Sequence, residues 1–278
     1  MSIWLACERT PTRLGAEGKD IMELTGRSAI VTGAAGGLGA ATARHLLAQG
    51  AGVVIMDVWG EGAQALATEL GDNAVAVAGD TNDDHAVQRA ITAAATVGTL
   101  SFVVNVAGGG LREAGRTLAK DGTPHDKEAF IGTMAMNAFG TFNVTRLAAA
   151  AIAANDPTDD GHRGVVVNVG SLAGLEGQTG QLAYGAAKAA ILGMTLPLAR
   201  DLAAVGIRVC AIAPGTMGTP VMMSAPEAMK DNLVASIVFP KRMGKPEEFA
   251  LLVESIIRND YLNGENFRLD GALRFPPK

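Results

Sequence analysis

The fold is decided by the stretch Ser28-Ala29-Ile30-Val31-Thr32-Gly33-Ala34-Ala35-Gly36-Gly37-Leu38-Gly39. A short β-branched run, typical of a buried strand, passes directly into a glycine-rich turn, and an alanine- and leucine-rich helical pattern follows. Glycines in such a turn allow a tight reversal and close packing of helix on strand, and the N–H groups that begin the helix favour an anion. The stretch therefore predicts a strand, a phosphate-binding turn and a helix, in that order.

Strand and helix patterns alternate from this point to the end of the chain. Strands are predicted at 28–32, 52–57, 74–78, 100–105, 165–169, 207–212 and 266–269. Helices are predicted at 38–49, 62–70, 83–96, 127–154, 182–205 and 246–258. This order favours a parallel sheet covered by helices on both faces, whose strands read as continuous apolar runs. The predicted fold is a Rossmann-type doubly wound α/β domain of about seven strands.

Composition excludes several classes of protein. Only 18% of the 278 residues are charged and the net charge is −5, so no basic surface for nucleic acid is expected. No apolar run approaches the roughly 18 residues of a membrane span. The cysteines Cys7 and Cys210 lie far apart, and the four histidines show no ligand spacing, so neither a metal site nor a disulfide framework is expected.

The first residues differ in character from the rest of the chain. We expect 1–21 to be a flexible extension and 22–278 to be one domain, in which the segment 217–240 covers the substrate. Glu8, Glu17 and Asp20 dilute the basic residues of the extension, whereas mitochondrial transit segments lack acids. With so few cysteines, the expected location is the reducing cytoplasm rather than the mitochondrial matrix.

Asp57 ends the second predicted strand, 18 residues after Gly39. A carboxylate at this place accepts hydrogen bonds from the adenosine ribose of a dinucleotide. It would repel the 2′-phosphate of NADP by about 4 kcal/mol per charge at 4 Å and an effective dielectric constant of 20. No Arg or Lys in 58–60 offsets that repulsion, so the predicted cofactor is NAD.

Tyr184 and Lys188 are four residues apart in a helical pattern, and they therefore share one face. We expect the ammonium to lower the pKa of the phenol, which suits acid–base catalysis. Ser171 follows the fifth strand at the carboxyl edge, where open α/β sheets bind ligands. It could hydrogen-bond a substrate oxygen beside Tyr184.

These residues resemble the short-chain dehydrogenase/reductase family from about Leu24 onward. The stretch 32–39 matches its TGxxxGxG motif, and 105–108 matches its NNAG motif with a departure at Val106. The resemblance implies that Tyr184 exchanges the proton, Lys188 binds the nicotinamide ribose, Ser171 orients the substrate and Asn137 holds a water. The implied cofactor-binding residues are Gly33, Gly36, Gly37, Leu38, Gly39, Asp57, Asp80, Thr81, Asn105, Val106, Ala107, Gly108, Tyr184, Lys188, Pro214, Gly215, Met217 and Thr219.

Several longer stretches resemble one branch, the type II 3-hydroxyacyl-CoA dehydrogenases, also called the 17β-hydroxysteroid dehydrogenase type 10 group. They are 140–144, 176–181, 193–197, 262–265 and 269–272, with the long loops 108–124 and 155–164. The branch implies NAD-dependent interconversion of an (S)-3-hydroxyacyl-CoA and a 3-oxoacyl-CoA, with steroids or branched short acyl chains as further substrates. It also implies a homotetramer.

The sequence itself says less about the substrate. Besides Ser171, the candidate substrate residues are Glu176, Gln178, Gln181 and Met222. Basic residues that could meet CoA phosphates, or equally be solvated surface, are Arg112, Arg116, Lys120, Lys127, Lys230, Lys241 and Arg242. A 3-oxoacyl carrier-protein reductase, a hydroxysteroid or ketone dehydrogenase, and a nucleotide-sensing scaffold without catalysis remain alternatives.

Overall fold

The structure is a computed structural model, and it describes residues 22–109 and 115–277. The expected flexible extension 1–21 lies outside the described residues. The strands are β1 Arg27–Thr32, β2 Gly52–Asp57, β3 Ala74–Ala78, β4 Thr99–Asn105, β5 Gly164–Val169, β6 Ile207–Pro214 and β7 Asn266–Leu269. The helices are α1 Gly37–Ala48, α2 Gly60–Leu70, α3 Asp84–Val97, α4 Lys127–Met134, α5 Gly140–Ala153, α6 Leu182–Ala203, α7 Pro220–Met223, α8 Glu227–Ala235 and α9 Pro246–Arg258.

All seven strands form one parallel sheet in the order β3-β2-β1-β4-β5-β6-β7. The chain therefore moves outward from β1 in one direction and then returns to continue in the other. Loops that leave β1 and β4 diverge to opposite faces, which opens a crevice at the carboxyl ends of these strands. The Rossmann-type fold predicted from the alternating pattern is confirmed.

Two apolar layers hold the helices on the sheet. One face packs against α1, α2 and α9, and the other packs against α3, α5 and α6. In β5, Val165 and Val167 point to the first layer and Val166 to the second, and all three are fully buried. A strand covered on both faces needs apolar residues at every position, which explains its unbroken valine run.

The segment predicted as one helix, 127–154, is interrupted, and that prediction is wrong in detail. A π turn at Ala135–Phe139 separates α4 from α5. Turns of this kind insert one extra residue into the helical ladder and often lie at functional sites. The apolar periodicity continues through the interruption, so nothing in the pattern indicated it. Two further helices, α7 and α8, lie in the segment 217–240, where no helix was predicted.

Among the described residues, helix α6 alone is long and apolar enough to cross a membrane by length and composition. It packs against β6, and its residues Ile191 and Thr195 are fully buried. The core helix of a soluble protein passes the same test. Within 22–109 and 115–277, no three His, Cys, Asp or Glu side chains cluster as metal ligands would.

Candidate active site

One cavity of about 1790 Å³ opens along the carboxyl edge of the sheet. Its walls come from the glycine turn after β1, the ends of β2, β4, β5 and β6, the start of α6, and the segment that holds α7 and α8. A parallel sheet gathers these chain ends at one edge because all its strands run the same way. Residues far apart in sequence therefore face one volume.

In the turn after β1, Gly33 and Gly39 lie so close to neighbouring backbone atoms that no larger residue fits. Gly33 has a φ of +61°, and a Cβ there would lie 2.7 Å from the Cα of Ala107. A Cβ on Gly39 would collide with the carbonyl oxygen of Gly33. Helix α1 begins at Gly37, and no side chain caps its first N–H groups. These free donors, at the positive end of the helix dipole, suit a pyrophosphate.

Asp57 is fixed at the end of β2 by two backbone donors. The N–H of Ala35 donates to its Oδ2 and the N–H of Trp59 to its Oδ1, both at 2.9 Å. Each oxygen retains a lone pair for a ribose hydroxyl. Lys188 is the one basic residue lining the cavity within the described parts of the chain. The walls thus offer no cation beside Asp57 for a 2′-phosphate, so these residues fit NAD(H).

The predicted cofactor residues divide into those that line the cavity and those that support it. The lining residues are Gly33, Gly36, Gly37, Leu38, Asp57, Asp80, Thr81, Val106, Ala107, Gly108, Tyr184, Lys188, Pro214, Gly215, Met217 and Thr219. Asn105 is buried below the cavity, where its Nδ2 donates to Thr145 and Asn168 at 3.0 and 2.9 Å. Gly39 likewise supports the turn rather than lining the cavity. Both residues hold the walls in place.

Ser171, Tyr184 and Lys188 lie together on the side of the cavity formed by β5 and α6. Ser171 lies two residues after the end of β5 and caps the short 3₁₀ turn Leu172–Gly174, accepting at 3.1 Å from the N–H of Ala173. The Ser171 hydroxyl lies close enough to that of Tyr184 to lower its pKa. The Nζ of Lys188 donates to the carbonyl of Val169 at 2.9 Å and lies 5.8 Å from the centre of the Tyr184 ring.

This arrangement can exchange one proton with a substrate oxygen held between two hydroxyl groups. Comparison with known proteins agrees: residues 27–230 match the model of the short chain dehydrogenase family. The chain belongs to the short-chain dehydrogenase family. It is therefore an oxidoreductase by family, and its glycine turn, Ser171, Tyr184 and Lys188 all line one cavity.

Two curated relatives cover nearly all of the described domain. The chain is 46% identical over 254 residues to a human protein named 3-hydroxyacyl-CoA dehydrogenase type-2, covering 91% of this chain and 97% of the relative. It is 46% identical over 249 residues to the Drosophila melanogaster protein of the same name, covering 89% and 97%. A crystal structure of 3-hydroxyacyl-CoA dehydrogenase type-2 from Mycobacterium avium is 49% identical, with a TM-score of 0.89, covering 93% and 100% of the two chains.

Burial dominates the acid–base properties of the dehydrogenase's central pair. It raises the pKa of Tyr184 above its ordinary value of 10.0, and the nearby Ser171 hydroxyl opposes this only in part. It lowers the pKa of Lys188 from 10.5 to about 8. In the protein alone, the raising of the tyrosine pKa by burial therefore outweighs the lowering that we expected from nearby positive charge. Sequence spacing gave the proximity of the two groups but not the loss of water around them.

Asn137 lies in the π turn, and its amide is engaged by backbone groups. Its Nδ2 donates to the carbonyls of Gly109 and Thr133 at 2.8 and 2.9 Å, and its Oδ1 accepts from the N–H of Gly109 at 3.2 Å. The side chain thus fastens the loop after β4 to the helical segment. Because both amide hydrogens are used, any water that Asn137 holds must meet another of its groups.

Most of the predicted substrate residues line the cavity, and one does not. Ser171, Gln178, Gln181 and Met222 line the cavity, whereas Glu176 turns away from it and pairs with Arg268 at 2.8 Å. In the described part of the loop 108–124, Gly115 forms a β-bridge with Gln181, so this loop borders the substrate side.

Two further stretches line the cavity: one lies in the segment 217–240 that we expected to cover the substrate, and no sequence pattern predicted the other. One is the inner face of α8, and the other is the C-terminal segment. The lining residues are Ala228, Met229, Asn232, Leu233, Ser236, Leu273, Phe275 and Pro276. Neither stretch carries a motif, and α8 has no buried residue that would mark it as a core helix. The role of the C-terminal segment is visible only in the tertiary structure.

Proposed function

We propose that the protein interconverts an (S)-3-hydroxyacyl-CoA and the corresponding 3-oxoacyl-CoA with NAD(H). The observation that carries the proposal is the convergence of Ser171, Tyr184 and Lys188 on the cavity that also holds the glycine turn and Asp57. Relatives that share 46% of the sequence over almost its whole length are named for this substrate class.

The chain's own groups supply proton transfer and orientation. Bound NAD(H) supplies the acceptor or donor of the hydride at the substrate's third carbon. In reduction, Tyr184 Oη donates its proton to the carbonyl oxygen while Ser171 Oγ holds that oxygen in place. In oxidation, Tyr184 takes the hydroxyl proton back. Its raised pKa keeps the phenol protonated at neutral pH, which favours the donor role.

Lys188 acts on the tyrosine through charge. Its ammonium lies 5.8 Å from the ring centre and is held by the Val169 carbonyl. Below about pH 8 it is cationic, and in this water-poor place a nearby cation stabilises the phenolate that forms as the proton leaves. Lys188 also stands where it could hold the nicotinamide ribose.

An acyl-CoA needs an apolar wall for its chain and cations for its phosphates. The methionines Met222 and Met229 line the cavity and can adapt to a flexible chain. A second cleft of about 910 Å³ adjoins the first at the glycine turn and is lined by Arg44, Lys230, Lys241, Arg242 and Lys245. Of the predicted phosphate ligands, Lys230 pairs with Glu227 and Arg242 with Glu248, while Arg112 lies outside the described residues.

The proposed function is tested on Tyr184→Phe with NADH and a panel of carbonyl substrates. The panel is acetoacetyl-CoA, a longer 3-oxoacyl-CoA, a carrier-protein thioester and a 17-ketosteroid. We expect acetoacetyl-CoA to have the highest kcat/KM, and the variant to lose at least about a hundredfold in kcat while NADH still binds in a fluorescence titration. Tyr261→Phe is the matched control, since Tyr261 is 99% exposed.

Any of three results would contradict this proposal. Turnover by Tyr184→Phe equal to the wild type would remove the acid–base role. A preference for the carrier-protein thioester or the steroid would support the alternative reductase or hydroxysteroid dehydrogenase. Binding of NADH without turnover of any carbonyl compound by the wild type would instead indicate a nucleotide-sensing scaffold.

We further propose a homotetramer. Four large apolar side chains, Ile131, Met136, Phe139 and Phe142, are 43 to 55% exposed along α4, the π turn and α5. Single exposed apolar residues are ordinary, but a row of them on one helical face suits a partner surface. Light scattering on the wild type and on Phe142→Glu tests this: we expect a mass four times that of the chain, and a smaller mass for the variant. A monomeric wild type would contradict it.

A cytosolic location is also proposed. Cys210 is a buried free thiol, and a reducing compartment keeps such thiols free. Fractionation of cells that express the tagged protein tests the location, and recovery in the mitochondrial matrix would contradict it.

A further inference from the structure

The last residues of the described chain fold back over the loop that follows Ser171. The N–H of Phe275 donates to Glu176 Oε2 at 2.8 Å, and the N–H of Thr179 donates to the carbonyl of Pro277 at 3.1 Å. Gln178 Nε2 donates to the carbonyl of Pro276 at 3.3 Å. These bonds join positions nearly a hundred residues apart, and they tie the segment 273–277 to the edge of the cavity.

An ion network centred on Arg268 fixes this segment. Arg268 donates to Glu176 at 2.8 Å through Nη1, to Asp270 at 2.7 Å through Nε, and to the carbonyl of Leu273 at 2.9 Å through Nη2. Arg274 adds a second pair with Asp270 at 3.2 Å. The side chains of Glu176 and Asp270 are only 22% and 8% exposed, so water screens these pairs less than it screens surface ion pairs.

The tethered segment forms part of the cavity wall. Leu273, Phe275 and Pro276 line the same cavity as Ser171 and Tyr184. Phe275 also packs against a small apolar cluster that includes Leu172 and Leu273. Because Glu176 holds the backbone N–H of Phe275, the position of this ring depends on a carboxylate that does not itself line the cavity.

We propose that Phe275 limits the length or branching of the acyl chain that the cavity takes, and that Glu176 is the positioning residue that holds Phe275 there. The inference rests on the proposed function and adds the part of the site that selects among substrates. An apolar wall can discriminate between chains that differ by a few carbons, since one methylene is worth about tenfold or more in kcat/KM.

The proposal is tested with Phe275→Ala, Glu176→Gln and the double variant. The readout is the kcat/KM for a long 3-oxoacyl-CoA divided by that for acetoacetyl-CoA. We expect Phe275→Ala to raise this ratio about tenfold. Glu176→Gln should shift it in the same direction, mainly through KM for the long chain, with kcat for acetoacetyl-CoA close to the wild type. The double variant should resemble Phe275→Ala, because Glu176 acts through the ring.

Glu254→Gln is the matched control. Glu254 is 17% exposed and also holds two partners, His45 at 2.6 Å and Arg258 at 2.7 Å, but these lie between α1 and α9 and none of the three lines the cavity. We expect the control to lower stability to a similar degree without changing the substrate ratio. A Glu176→Gln protein that lowers kcat/KM for every substrate by one factor, as a general loss of structure would, overturns the positioning role. If Phe275→Ala leaves the ratio of kcat/KM values for long and short substrates unchanged, Phe275 does not limit the acyl chain.

Assays of the wild type with acyl-CoA substrates distinguish a failure of this proposal from a failure of the proposed function. If it turns over no acyl-CoA, the proposed function fails, and the same ratio is then measured on straight-chain ketones of graded length. On either series, variants that keep the wild-type ratio refute the role of the C-terminal segment, and variants that shift it toward long chains support that role.

Discussion

Replacing Lys188 with methionine is expected to raise the free energy of unfolding while it abolishes turnover. The side chain of Lys188 is buried, and burial lowers its pKa from 10.5 to about 8. Each tenfold change in a protonation equilibrium corresponds to about 1.4 kcal/mol, so holding the ammonium in the fold costs about 3 kcal/mol at neutral pH. Methionine removes this cost, but it also leaves the Val169 carbonyl without its hydrogen-bond donor, which destabilises the fold by about 1 kcal/mol. The net expected stabilisation is about 2 kcal/mol.

The pH dependence of this effect has a definite sign. The pKa of Lys188 is lower in the folded state, so the unfolded chain binds more protons at this position between about pH 8 and pH 10.5. The stability of the wild type relative to the variant therefore rises with pH across that window. Below about pH 8, Lys188 is charged in the folded wild type, and the full cost of burying its ammonium lowers the free energy of unfolding. The difference between variant and wild type should thus be about 2 kcal/mol smaller at about pH 9.5 than at about pH 7.

Urea denaturation of both proteins at these two pH values measures the effect. Lys127→Met is the matched control, because Lys127 is exposed and its removal should leave a difference that does not depend on pH. Activity with NADH and acetoacetyl-CoA is measured in parallel. A Lys188→Met protein less stable than the wild type at neutral pH, or a stability difference equal at both pH values, would refute the reasoning.

Two further substitutions test the cofactor choice and the support of the sheet. Asp57→Asn keeps an acceptor for Ala35 but removes a charge that repels a 2′-phosphate by about 4 kcal/mol at 4 Å, so kcat/KM with NADPH relative to NADH should rise at least about tenfold. An unchanged ratio in steady-state assays would contradict this. Arg208 is buried and donates to the carbonyls of Ile256, Ile257 and Leu262 beyond β6, so Arg208→Leu should lower the free energy of unfolding by at least about 3 kcal/mol. A denaturation midpoint equal to that of the wild type would show that these bonds contribute little.

Local features of the fold could be predicted from the sequence because they depend on residues that are neighbours along the chain. Short segments, most of them rich in valine and isoleucine, predicted every strand of the sheet to within about two residues. The glycine turn was predicted because its spacing reflects steric demands that only glycine meets, as at Gly33. The four-residue spacing of Tyr184 and Lys188 predicted that they share a helix face. Each of these inferences needed only chain geometry.

Other features could not be read because they arise from contacts between distant segments. The π turn around Asn137 does not disturb the apolar periodicity, so 127–154 read as one helix. Helix α8 buries no residue, and it lacks the apolar stripe by which helices are recognised. Glu176 follows the candidate serine so closely that it suggested a pocket residue, but Arg268 draws it away. None of these outcomes has a local signal.

The sequence by itself determined the order of the strands and of most helices, the anion-binding turn, the carboxylate that favours NAD and the residues proposed to exchange the proton. Those properties follow from residue type, spacing and chain order. Only the tertiary structure decided the acid–base state of Tyr184 and Lys188, because a pKa depends on how much water the fold removes. It also decided that the C-terminal segment lines the cavity, and that the segment 217–240 does so through the helix α8. Such walls form when segments far apart in sequence pack against one another, and the packing of the whole sheet places these segments beside the cavity.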